Sequence, residues 1–150
     1  MTKQIEFIAR LVLVSGDHIL LTQKHARGYS YLPGGHIEFG ESAADALNRE
    51  LQEEIGGRAR VGAFLGALEQ SFSARGKFHH EINLVFWGVL EEIAYPEQPT
   101  VLEDDLAYIW QPLNRLQEAN FQPPAMIPLV LNALAEDQAQ VAPYYSIMED

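Results

Sequence analysis

The chain contains no cysteine, which excludes disulfides and thiolate metal sites. Its apolar residues never run to the ~18 positions that a membrane-spanning helix needs, so no membrane partner is expected. The first residues, Met1-Thr2-Lys3-Gln4-Ile5-Glu6, lack the basic start, apolar stretch and small-residue cleavage site of a secretory signal. A cytoplasmic protein is the expectation that follows. Lys and Arg are scarce, ten against 21 Asp and Glu, for a formal charge of −11. A nucleic-acid binder presents a basic patch, so nucleic acid is not an expected partner. No internal repeat, low-complexity tract or linker interrupts the chain, and 47% hydrophobic with 21% charged residues is ordinary globular composition. Residues 1–150 therefore read as one domain.

The charge also bears on substrates. Acidity of this kind keeps a protein soluble, but it repels a polyphosphate. If the substrate carries phosphates, something cationic has to stand between the two.

Ile5 to Val14 is rich in β-branched and aliphatic residues, Ser15-Gly16-Asp17 offers turn chemistry, and His18 to Gln23 is a second apolar run. Together they predict a hairpin. A loop follows from Ala26 to Gly35, punctuated by Pro33-Gly34. Further strands are expected at Arg60 to Glu69, Glu81 to Leu90 and Leu106 to Trp110, and a helix at Met126 to Ala135 after Pro123-Pro124. Strands mixed with two helices point to an α/β or α+β sandwich.

The clearest helix spans Ser42 to Ile55. Ser42 and Asp45 have capping-box spacing, and Gly56-Gly57 supplies the stop. At about 100° per residue, Leu47, Leu51 and Ile55 form one stripe with Ala44 beside it, which must face the core. Glu50, Glu53 and Glu54 form a second arc at i,i+3 and i,i+4 spacing, with Cβ atoms about 5–6 Å apart. Like charges at such spacing destabilise a helix slightly. An acidic arc suits a solvated face, and it equally suits a hard divalent cation, because Mg²⁺ takes oxygen ligands in octahedral array. Arg49, four residues before Glu53, is placed to pair with that carboxylate.

The loop around this helix favours the cation. Gly35 is followed after five residues by Glu41, and after seven more by Arg49-Glu50-Leu51-Gln52-Glu53-Glu54-Ile55-Gly56. This pattern, with Leu32-Pro33-Gly34 before it and Glu38 and Gly40 inside it, resembles the box of the Nudix (MutT-like) hydrolases. One position departs: Gly57 stands where the family carries an aliphatic residue. The departure concerns packing, which Val61 or Phe64 can supply, and leaves the acidic arc untouched.

The resemblance implies an α/β/α sandwich with a mixed β-sheet, in which a loop–helix–loop holds Mg²⁺, with Mn²⁺ as a substitute. It implies Glu50, Glu53 and Glu54 as metal ligands, the carbonyl of Gly35 as another, and Glu41 in support. Arg49 would orient a carboxylate. It implies hydrolysis of a pyrophosphate bond in a small-molecule nucleotide: a nucleoside triphosphate, a nucleotide sugar or ADP-ribose. The alternative is a non-catalytic, Nudix-like nucleotide-sensing module. A homodimer is expected on the same ground.

Other candidates come from the residues themselves. Glu50 or Glu53 near a metal can accept a proton from water, and Glu103, in the acidic run before Leu106, is a candidate ligand or base from outside the box. Tyr31 and Phe39 flank the box as candidates for stacking on a base, Arg27 as a phosphate contact and His80 as a pocket residue. His79 and His80, adjacent in an extended segment, should point to opposite faces. The tail, Val141 to Asp150, has no assigned packing partner.

Overall fold

The computed structural model describes residues 3–25 and 28–135, together with Tyr144, Ser146, Met148 and Glu149. The expected hairpin is present: β1 (Glu6–Ser15) turns at Gly16, φ 59°, into β2 (His18–Lys24). Next come β3 (Tyr29–Tyr31), β4 (Gly34–His36) and α1 (Ala43–Ile55). The remaining elements are β5 (Ala59–Ala74), β6 (Lys77–Leu90), β7 (Leu106–Pro112), a 3₁₀ segment (Leu113–Ala119) and α2 (Met126–Ala135). The loop expected between Ala26 and Gly35 contributes two short strands, and Arg27 lies outside the described residues.

The strands form one mixed sheet in the order β3-β2-β1-β6-β5, with β4 also paired to β1 and β7 to β2. Among the described strands, β1 and β6 are the pair that runs parallel. Parallel neighbours need a long crossover, and α1 with β5 lies within that connection. Strand alternation then sorts the core onto two faces. Ala9, Leu11 and Leu13 of β1 pack with Leu47, Leu51 and Ile55 of α1. Val12 joins Ile19, Leu21, Val85 and α2's Met126 and Val130 on the other face. Helices thus cover both sides of the sheet, the α/β/α arrangement that the resemblance implies. Among the described residues, no helix is long and apolar enough to cross a membrane.

The caps of α1 follow from its sequence. Ser42 Oγ accepts the Asp45 N–H at 3.1 Å, and Gly56 closes the helix in the left-handed region at φ 62°. Ala44 is exposed; Ala43 fills that place in the buried stripe. A Cβ at Gly57 would press within 3.1 Å of Ile55 Cδ1, so a side chain there would require Ile55 to shift. Val61 and Phe64 pack against that part of the core instead. The Tyr144 ring lies tilted against Phe64 and edge-on to Phe86, with ring centroids 5.4 and 4.9 Å away; Tyr145 lies outside the described residues.

Candidate active site

Strand β1 pairs with β2 only at Val14 and Ser15, while Ile8, Ala9 and Arg10 pair with β4. This split brings the glycine loop against the helix. Gly34 has φ 143°, and a Cβ there would lie 2.0 Å from the Ala9 carbonyl oxygen. A Cβ at Gly35 would lie 2.5 Å from Oε1 of Glu50. Both positions therefore need glycine, one for backbone packing and one to admit a carboxylate.

Arg49 ties the loop to the helix. Its Nε donates to Glu41 Oε2 at 2.8 Å and its Nη2 to Glu41 Oε1 at 3.0 Å, a bidentate pair. Further donations reach Glu50 Oε1 at 3.0 Å and the His36 carbonyl at 2.9 Å, and Glu53 lies 3.8 Å away. The guanidinium hydrogen bond holds the Glu41 carboxyl below its usual range, and the same bond raises the pKa of Arg49.

Glu50 and Glu54 occupy a less forgiving environment. Glu54 is 6% exposed. Desolvation, then the charges of Glu50 and Glu103, push its carboxyl up to about 7, opposed by Tyr108 and Arg10. Desolvation also raises Glu50, with Glu53 and Glu103 adding to it, although the Arg49 hydrogen bond opposes. Burial likewise raises the Tyr108 phenol, with the Glu54 charge second. The hydroxyls of Tyr108 and Thr22 are buried without a hydrogen bond of ordinary length, although they lie close enough to Glu54 and to each other to influence ionisation. Glu103 comes from outside the box because Leu102 N–H donates to the Glu54 carbonyl at 2.7 Å, pinning the loop before β7 to the last turn of α1.

These groups line one cavity of about 1020 Å³. Gly35, Glu50, Glu54 and Glu103 border it, and so does Tyr31. Glu53, half-exposed, and Glu41 and Arg49 stand outside its lining. Phe39 is fully exposed and borders a separate hollow with Phe7 and Tyr144, since the loop carries it away from the sheet. His80 is absent from the cavity wall, and His79 lines it. The two alternate across β6, as neighbours in a strand must, and the alternation puts His79 on the cavity side.

Sequence reasoning missed the floor of this cavity. Arg10 and Glu81 line it, and with the buried Asn83 they project from β1 and β6 on the face that further along carries Val12 and Val85. Arg10 donates to the Leu32 carbonyl at 3.0 Å and to Asn83 Oδ1 at 3.5 Å, and its guanidinium lies 5.3 Å from the Tyr31 ring centroid. Glu6 accepts from His36 and His79 at 2.9 and 2.8 Å; the His36 hydrogen bond is the largest effect holding its carboxyl low. Glu6, His79 and Glu81 bring ligand-type atoms within 4.8 Å of one another. The signal was present as polar residues at every second position of otherwise apolar strands, Glu81 and Asn83 above all.

A mixed sheet between helices, with a glycine loop laid against a helix whose carboxylates enter a nucleotide-sized cavity, defines a class of phosphate-handling enzyme folds. The NUDIX domain profile matches residues 6–130, and the chain belongs to the Nudix hydrolase family. The CTP pyrophosphohydrolase of Escherichia coli is 34% identical over 116 residues, covering 65% of this chain and 85% of that protein. An uncharacterised Nudix hydrolase of Bacillus subtilis is 42% identical over 52 residues, 35% of this chain and 33% of its own length. The match thus spans about a third of that relative. The fold of the MutT protein from Bacillus halodurans superposes with a TM-score of 0.67 at 22% identity, over 89% of this chain and 84% of that one.

Proposed function

We propose that this chain hydrolyses a pyrophosphate bond in a nucleoside diphosphate derivative, with a divalent cation, Mg²⁺ or Mn²⁺, held at Glu50, Glu53, Glu54 and the Gly35 carbonyl. The observation that carries the reading is the crowding of Glu50, Glu54 and Glu103 at one cavity wall. There burial and mutual repulsion raise Glu54 to about 7. Buried like charges are stabilised by a cation that replaces their lost solvation, so the donor set fits a hard divalent ion.

When bound, the ion neutralises the diphosphate oxygens and lowers the pKa of the attacking water. The chain's own residues do the rest. Arg49 fixes Glu41 and Glu50 in place through four hydrogen bonds to the box and its loop. In this reading Glu103, which borders the cavity beside Glu54, is the carboxylate from outside the box that accepts the proton of the attacking water. Arg10 lends positive charge to a strongly acidic cavity. The cavity volume admits a whole nucleotide, whether a triphosphate, a nucleotide sugar or ADP-ribose; the name of the Escherichia coli relative supports the triphosphates.

The test is a panel of nucleoside triphosphates, ADP-ribose and nucleotide sugars incubated with Mg²⁺, with products separated by chromatography. Metal-dependent cleavage that falls at least a hundredfold in Glu53→Gln and Glu54→Gln establishes the reading. Tight metal-dependent binding without turnover would instead favour a nucleotide sensor.

A further inference from the structure

We propose that the sheet floor of the cavity is a nucleobase site in which Glu81 selects a base carrying an exocyclic amino group. The proposal rests on the hydrolase reading only in giving the Glu50–Glu54 wall to the diphosphate.

Glu81 is 8% exposed and lies on the cavity wall. A buried carboxylate needs hydrogen-bond donors, and here they reach one oxygen only. Gln70 Nε2 donates to Oε1 at 2.9 Å and Asn83 Nδ2 to the same Oε1 at 3.3 Å. Among the described residues no hydrogen bond reaches Oε2. Asn83 is fixed in turn, since its Oδ1 accepts from Arg10. Its amide therefore faces Glu81 with the nitrogen, and Glu81 is held with one acceptor spent and one in reserve.

The surroundings suit a flat, polar ring. Phe72 and His79 stack with ring centroids 4.9 Å apart and planes 14° from parallel, and both line the cavity. Glu6 adds a second carboxylate, already occupied by two imidazoles. The reserve acceptor is thus Glu81 Oε2. An amino group, as on cytosine or adenine, donates to it. A keto oxygen at the same ring position, as on uracil or hypoxanthine, presents lone pairs to a carboxylate and is repelled.

Holding Oε1 against two amide donors makes a sharp consequence. In Glu81→Gln the same two donors fix the new amide oxygen, so its NH₂ must take the place of Oε2. The acceptor becomes a donor without a change of shape.

The experiment compares kcat/KM for CTP against UTP, and for ATP against ITP, in the wild type, Glu81→Gln and Glu81→Ala. Dissociation constants of the hydrolysis-resistant α,β-methylene analogues are measured in parallel. The wild type should prefer the amino member of each pair by roughly tenfold to a hundredfold. Glu81→Gln should invert the preference and Glu81→Ala should flatten it. A merely structural glutamate would lower all four substrates together, leaving the ratios alone, and that result overturns the proposal. Equal kcat/KM for both members in the wild type overturns it too, while the hydrolase reading stands. If no triphosphate is cleaved but the analogues bind with the amino preference, the base site stands and the triphosphates fall as the substrate class; analogue binding without preference, or none at all, overturns the site.

Discussion

Gly35 and Glu50 share one space: the Cβ that any other residue would carry at 35 lies 2.5 Å from the Glu50 carboxylate and 2.9 Å from its Cγ. Glu50 cannot keep its position if that Cβ is added. Gly35→Ala should therefore cost about 1–3 kcal/mol of stability, as overpacking usually does. It should lower kcat by roughly a hundredfold, the effect of displacing a reacting group by about an ångström. Thermal unfolding and steady-state kinetics on the same preparation separate the two effects. Full activity in Gly35→Ala would show that Glu50 is not needed where the structure places it.

Arg49 acts through planar geometry as well as charge. Lysine keeps the charge but offers no fork to match both oxygens of Glu41 while reaching Glu50 and the His36 carbonyl. Arg49→Lys should weaken Mg²⁺ binding tenfold to a hundredfold, the usual scale for losing a group that orients metal ligands. Titration calorimetry reads this directly. An unchanged affinity in the lysine variant would mean that charge alone suffices.

The helix cap gives a prediction confined to stability. Ser42 Oγ satisfies one N–H of the first turn, so Ser42→Ala should cost about 1 kcal/mol. Chemical denaturation should detect that loss, with KM and kcat within a factor of two of the parent, because the Glu50–Glu54 turn lies at the other end of α1. A large loss of turnover in this variant would tie the cap to the site.

What the sequence made legible was whatever had a period or a fixed spacing. The first hairpin, α1 with its caps, α2 and the box all announced themselves through local pattern, and the mixed α/β/α architecture followed. Three things did not. The β5–β6 hairpin turns at Arg75-Gly76, with φ of 54° and 74°; an arginine in the left-handed region is not the Asn-Gly signal that marks such turns. The wheel grouped Glu54 with Glu50 and Glu53 on an acidic arc apart from the apolar stripe, yet it is buried beside that stripe, because 100° steps bring residue 54 close to residue 47. The polar floor, Arg10 and Glu81 with Asn83 bonded to both, is assembled by parallel pairing of strands more than 70 residues apart, and no local spacing encodes that register.

Glu54 supplies the pH dependence. Its folded pKa, about 7, stands above the ordinary carboxyl value of 4.5, so between those values the folded state holds a proton that the unfolded state releases. Stability without metal must then fall as pH rises through this window, by about 3 kcal/mol at 1.4 kcal/mol per unit. The comparison that isolates it is wild type against Glu54→Gln, unfolded in chelator from pH 4 to pH 8. The variant has no such proton, so the difference between the two curves should open steadily above pH 4.5 and level off above pH 7. Saturating Mg²⁺ should close the gap or reverse it at pH 8, since the ion binds the deprotonated carboxylate. Parallel curves in chelator would mean that Glu54 ionises at an ordinary pH in the folded protein, and the crowding that supports a cation at this wall would lose its energetic basis.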